Sequence, residues 1–233
     1  SASLILAPIK DIVPEPFRDK VREIKWGADT DIFDPALLPD KVLLRIEKGF
    51  DPEDILLLHF GSLRKWHGLV KLLEAFDMAR ARWQRPVKLI VLGPAKPIPR
   101  ENVHFAGVVP HTDMPAWLKI CDLAVFPFSP EQHRYLDLGF YWSPLKVFEA
   151  MAMELPVITL GHPRLGKILG AEDPGFYYDG TTADLAEKMV SLVERLPECE
   201  SAGKQMRERL LRLYSWEVHG NQLHKWLTEL VAG

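Results

Sequence analysis

The sequence predicts an α/β fold built on a Rossmann-like parallel sheet with helices on both faces. Two observations carry this. From Asp54 onward, short apolar runs alternate with longer amphipathic ones, which is the order of successive βαβ units. The apolar runs are also nearly continuous, as expected of strands covered on both sides.

Each element follows in chain order. Residues 1–52 carry six prolines (Pro8, Pro14, Pro16, Pro35, Pro39 and Pro52) and only short apolar runs, so they read as an interdomain connector or N-terminal extension with local structure. Residues 53–233 hold the core and the C-terminal helices. Strands are predicted at 54–61, 87–93, 103–107, 123–128, 155–160 and 175–178. Helices are predicted over Leu69–Trp83, Pro115–Ile120, Pro144–Met153 and Ala183–Leu196. In the tail, Leu210, Leu213 and Trp216, then Leu223, Trp226, Leu227 and Leu230, recur at helical spacing, so two helices broken near Ser215 are expected.

Composition narrows the function classes. The 233 residues are 47% hydrophobic and 26% charged, enough for one large or two small cores. A net charge of -3 and a pI near 6.2 carry no electrostatic footprint for nucleic acid or an anionic membrane. Two cysteines, Cys121 and Cys199, do not make a disulfide framework and suit a reducing compartment. No apolar run approaches the roughly 20 residues needed to span a bilayer, and SASLILAPIKDIVPEP at the start has no basic leader region. A cytoplasmic chain is expected. It begins at Ser1 beside an apolar stretch, which suits a chain cut from something longer.

Parallel sheets bind ligands at the carboxyl ends of their strands, in the loops that open the next helix. GSLRKWHG (61–68) is such a loop. Gly61 and Gly68 let the backbone turn tightly, the following helix offers free amides to an anion, and Arg64 and Lys65 add cations. A phosphate cradle and a solvated basic turn both fit it. It is neither a Walker A loop nor GxGxxG. The second candidate is WSPLKVFEAM (142–151). Pro144 suits a first helical turn, Ser143 can cap it, and the amides of Leu145 and Lys146 then open a helix. Lys146 and Glu149 stand three apart on one helix face, so the ammonium can meet a phosphate while the carboxylate accepts a ribose diol. An internal Lys–Glu pair, contributing about 0.2–0.5 kcal/mol, is the alternative.

Two further patterns lead away from metal chemistry. Asp29-Thr30-Asp31 spells the DxD of a divalent-cation site, but it lies in the proline-rich connector before any strand. Asp137 with His133 in EQHRYLDLG could pass for an acid–base pair, but reads better as a mobile loop over the cleft. The eight histidines show no ligand spacing, and His67 in the glycine loop fits either a surface turn or a phosphate contact.

SPLKVFEAMAMELPVI (143–158) resembles the signature of retaining GT-B glycosyltransferases, the family 4-like group that transfers sugars from nucleotide diphosphate donors. Glu149 matches the second glutamate of that pattern; the first is absent, as in a subset that carries a Ser-Pro-Leu-Lys segment. GSLRKWHGLVKLLEAF (61–76) resembles the family's glycine loop. VHFAGVVPHTDMPAWLKICDLAVFPF (103–128) resembles the stretch whose backbone faces the nucleotide base, and GADTDIFDP (27–35) the interdomain segment.

The resemblance runs from about Ile24 to the end, and implies the C-terminal, donor-binding half of a GT-B fold. It implies a nucleotide-sugar donor as substrate, no cofactor and no metal. Arg64, Lys65 and Lys146 then stabilise the leaving diphosphate, while Gly61, Ser62, Val108, Val109, Ser143, Pro144, Leu145 and Glu149 bind the donor. The family's acceptor-binding, Rossmann-like N-terminal domain is not in this sequence, so the chain is expected to transfer nothing alone. A non-catalytic nucleotide-binding module and half of a GT-B sugar-nucleotide epimerase are the alternatives.

Overall fold

The computed structural model describes residues 2–62, 64–94, 96–132 and 144–232. Two short strands near the start, β1 (Ile5–Ala7) and β2 (Val21–Glu23), pair in parallel. The main sheet has six parallel strands: β3 (Ile55–Phe60), β4 (Val87–Leu92), β5 (Val103–Gly107), β6 (Leu123–Phe126), β7 (Val157–Leu160) and β8 (Tyr177–Tyr178). Their spatial order is β5-β4-β3-β6-β7-β8. The chain therefore builds outward from β3 in one direction, then restarts at β6 and builds in the other. The switch point lies between β3 and β6, where an open parallel sheet leaves a crevice beyond its carboxyl ends.

Every residue of β3 is buried, as two covered faces require. Its one polar side chain, His59, reaches the Val125 carbonyl across the strand pair at 2.7 Å through Nδ1. The covering helices are α1 (Lys41–Glu47), α2 (Leu69–Arg80), α3 (Met114–Ile120), α4 (Leu145–Ala152), α5 (Pro163–Leu169), α6 (Thr182–Val193), α7 (Leu196–Leu213) and α8 (Trp216–Ala232). α2 packs on α6, α4 on α7, and α1 on α3.

Apart from shifts at element ends, four departures from expectation change the architecture. Residues 1–52 contain more than a connector: α1 is bound into the core. The Asp122 carboxylate accepts from Lys41 Nζ (2.6 Å), the Arg45 guanidinium (2.8 Å) and the Leu56 amide (2.7 Å), joining α1 to β3. The predicted helix Ala183–Leu196 ends at Val193, and a new one starts at Leu196 with Pro197 in its first turn. Helix α5 is unanticipated; His162 caps it by accepting the Arg164 amide, and Pro163 opens it. The strand predicted at 175–178 keeps only two residues, because Pro174–Phe176 forms a tight helical turn.

The tail does break beside Ser215, and tertiary contact explains why. Ala28 pairs with Ser215 as an isolated bridge, and a Cβ on the adjacent Gly27 would lie 1.6 Å from the Tyr214 carbonyl oxygen. Only glycine permits that approach. The N-terminal segment is thus pinned to the junction between α7 and α8. Among the described residues, no helix is long and apolar enough to cross a membrane.

Candidate functional site

A cavity of about 480 Å³ lies at the carboxyl ends of β3 to β6, at the switch point of the sheet. That volume lies within the range of small-molecule sites. Each wall comes from the residues that follow a strand. Gly61 and Ser62 follow β3, Gly93 and Pro94 follow β4, Val108 and Val109 follow β5, and Phe128 follows β6. α4 enters from the side with Pro144, Leu145, Lys146 and Glu149.

Lys146 is the unusual group. It is 8% exposed, and its Nζ has no hydrogen-bond partner among the described residues. The ammonium lies 5.1 Å from the ring centroids of both Phe126 and Phe128, whose faces attract a cation without satisfying its donors. Burial drives its pKa from 10.5 down to about 7, against the opposing pull of the Glu149 carboxylate. A buried donor left unsatisfied is costly, and an anion entering the cavity would satisfy it.

Lys146 and the glycine loop meet. A Cβ on Gly61 would lie 3.6 Å from Lys146 Nζ and 3.8 Å from His67 Nδ1, and Gly61 holds a φ of +129°. Glycine at this position leaves backbone, ammonium and imidazole around one small space. His67 is itself buried, with Nδ1 3.5 Å from Ser62 Oγ. Burial, with the Lys146 and Arg64 charges beside it, takes its pKa down to about 3, so the ring is neutral. His59, fully enclosed below, is held well below its ordinary range for the same first reason.

Glu149 faces the cavity from the same helix, one turn further in. Its side chain is 16% exposed and Oε1 lies 3.2 Å from His111 Nε2. Burial raises its pKa, while the His111 hydrogen bond and the nearby charges lower it. The expected Lys–Glu helix face therefore exists, yet the carboxylate's hydrogen-bond partner is His111.

Of the residues singled out from sequence, Gly61, Ser62, Val108, Val109, Pro144, Leu145, Lys146 and Glu149 line this one cavity. Arg64 and Lys65 do not line it; both are exposed on the turn between Ser62 and α2. Ser143 lies outside the described residues, as do His133 and Asp137. Pro144 is the N-cap of α4 and not its first helical residue, and it makes no side-chain cap. Asp29 accepts the Asp31 amide at 3.0 Å in a local turn, so the DxD sequence forms a turn in the N-terminal segment. No cluster of three or more metal-ligating side chains occurs among the described residues.

The sequence reading missed His111, Met114, Trp66, Gly93 and Pro94, which also line the cavity. Gly93 and Pro94 carried a usable signal, since they end a strand as Gly61 does. His111 carried none, because its value depends on Glu149, which approaches it from another element.

The sequence matches the family of group 1 glycosyl transferases over residues 54–195, well over half of the chain. Among curated proteins none matches it. Among solved structures it is similar to Anabaena HepE in complex with UDP and glucose, with a TM-score of 0.75 at 19% identity, covering 98% of this chain and 64% of that one. It is similar to sucrose-phosphate synthase from Thermosynechococcus elongatus, with a TM-score of 0.71 at 18% identity, covering 98% of this chain and 58% of that one. It also matches the C-terminal domain of LpcC, a glycosyl transferase group 1 family protein from Francisella tularensis, with a TM-score of 0.61 at 16% identity. There the match covers 82% of this chain and 100% of that one. The chain thus spans between 58% and 64% of the two longer proteins, and its sheet has the fold of the C-terminal half of a GT-B glycosyltransferase.

Proposed function

The chain belongs to the group 1 glycosyl transferases, and from that premise we propose that it binds the nucleotide diphosphate sugar donor of a retaining, metal-independent transferase. The observation that carries this reading is Lys146: a buried ammonium without a hydrogen-bond partner among the described residues, beside a glycine loop, in a cavity at the sheet's switch point. A diphosphate would supply charge-assisted hydrogen-bond acceptors to that ammonium.

The residues divide the donor between them. Lys146 and the opening amides of α4 meet the diphosphate, Gly61 lets the backbone approach it, and Glu149 accepts the ribose hydroxyls. Val108 and Val109 line the side where the base lies. Arg64 and Lys65, exposed beside the cavity, add positive potential as the leaving diphosphate gains charge. Positioning and electrostatic stabilisation then supply the catalysis, with front-face attack by the acceptor and no protein nucleophile. An acceptor-binding domain beyond this chain completes the reaction, in keeping with its spanning only part of HepE and of sucrose-phosphate synthase. The family match favours neither a non-catalytic module nor an epimerase half.

The test is thermal denaturation with UDP, GDP, ADP and TDP and their glucose conjugates, with and without EDTA. One nucleotide series should stabilise the chain, by about 2.7 kcal/mol at 100 times its Kd, and chelation should leave the effect intact. Absence of stabilisation by every nucleotide overturns donor binding. Loss of stabilisation with EDTA overturns metal independence alone.

A further inference from the structure

We propose that His111 is a positioning residue for the donor's ribose, holding the Glu149 carboxylate in place from one side while Phe33 of the N-terminal segment holds His111 from the other. The proposal rests on the donor reading above and deepens it.

A carboxylate that reads a diol has to present two acceptor sites in a fixed direction. Glu149 has roughly four lone-pair sites and a side chain with three rotatable bonds, so something must stop it turning. Lys146, on the same helix face, does not: its Nζ makes no hydrogen bond among the described residues. The directional contact comes from His111 Nε2, 3.2 Å from Oε1, which occupies one acceptor site and leaves the rest toward the cavity. With one nitrogen donating, the imidazole also favours the charged, acceptor-only form of the carboxyl group, opposing the upward push of burial on its pKa.

The His111 side chain is 61% exposed and lines the cavity, so burial of the ring does not account for its position. Phe33 does. That ring is 1% exposed and meets the imidazole edge-on, with centroids 5.2 Å apart at 66°. Phe33 is in turn tied to the helix that carries Glu149. The Arg207 guanidinium on α7 donates to the Phe33 carbonyl at 3.2 Å, pairs with Asp34 at 3.0 Å, and donates to the carbonyl of Ala152, the last residue of α4. One side chain thus fixes both ends of the arrangement, and the N-terminal segment becomes part of the ribose site without touching the ligand.

The test compares the tightest-binding of UDP, GDP and ADP with its 2′-deoxy counterpart, by calorimetry on the whole chain. His111→Phe keeps a ring against Phe33 and removes the donor; His111→Gln returns an N–H near the position of Nε2. The wild type should prefer the ribonucleotide by about tenfold, as expected for a hydrogen bond to a charged group. His111→Phe should reduce that preference to about threefold or less, and His111→Gln should keep it. Full preference in His111→Phe overturns the proposal, because aromatic packing alone would then suffice. Equal binding of both nucleotides by the wild type overturns it too, while leaving nucleotide binding standing. Failure of every nucleotide to bind removes the donor reading and this proposal together. Should His111→Phe not fold, His111→Ala against His111→Gln makes the same comparison.

Discussion

The Nζ of Lys146 lies 3.6 Å from the position a Cβ on Gly61 would take. Two strand-to-helix junctions, far apart in sequence, are thereby brought to one point, where a cation faces a stretch of backbone that carries no side chain. A buried charge held open in this way costs stability, and the cost is measurable.

Lys146→Met should therefore stabilise the protein in the absence of ligand. The unfolded chain keeps the Lys146 proton up to its ordinary pKa of 10.5, the folded chain only up to about 7. The unfolded state binds more protons across that window, so wild-type stability gains from Lys146 as pH rises from about 7 to 10.5. Below 7 both states carry the charge and the full burial penalty applies. Urea unfolding at pH 6.5, 8 and 9.5 should show the variant more stable at the lowest pH, by a few kcal/mol in order of magnitude, with a flatter pH dependence. Parallel wild-type and variant profiles would exclude a buried Lys146 charge.

Donor affinity should fall as pH rises above 7. A bound diphosphate restores the Lys146 proton, so binding takes up a proton wherever the empty site is neutral. His67, near 3, and His59, held well below its ordinary range, stay neutral and do not contribute. A nucleotide sugar has no phosphate titrating near neutrality, so calorimetry with it isolates the protein. The Kd should rise by up to about tenfold per pH unit above 7. Observed heats should differ between two buffers of unlike ionisation enthalpy, and identical heats would rule out the uptake.

Glu149→Gln should act on the sugar of the nucleotide more than on its phosphates. Losing a charge-assisted hydrogen bond costs about 1.5–3 kcal/mol, or roughly ten- to a hundredfold in affinity. The loss should be larger for a ribonucleoside diphosphate than for its 2′-deoxy form. Equal losses for the two would place Glu149 away from the ribose.

Arg64→Ala and Lys65→Ala should each cost less than Lys146→Met. Both side chains are exposed and lie outside the cavity lining, so their charges reach a bound diphosphate through screened solvent. Each substitution should weaken binding by about fivefold or less, and the effect should shrink as salt is raised. A loss matching that of Lys146→Met, unchanged by salt, would show that the turn folds over the ligand and makes direct contact.

Much of this architecture is legible in the linear sequence. Six apolar runs mark the six strands because a strand covered on both faces is buried throughout, as Ile55–Phe60 is, and so apolar at nearly every position. Strand-ending glycine at Gly61 and the spacing of Lys146 and Glu149 mark two sides of the cavity, because turn geometry and helical period are local properties. Helix α5 escapes notice, since its seven residues, with Gly166 inside, are too few to show a period. Helix α1 escapes for a similar reason: proline-rich surroundings hide seven residues whose place is set by Lys41 and Arg45 reaching Asp122.

Tertiary structure alone decided which of the marked residues act together. The order β5-β4-β3-β6-β7-β8 places the switch point at β3 and β6, and no local pattern encodes which strands become neighbours. It brings Phe126 and Phe128 against Lys146, leaving the ammonium buried and without a hydrogen-bond partner among the described residues, while Arg64 and Lys65 stay on the outer turn. It also gives Glu149 to His111, although the sequence sets it beside Lys146. The physical reason is one of range. Spacing along a helix states which side chains share a face, but the partner of that face comes from segments tens of residues away, and packing between those segments chooses it.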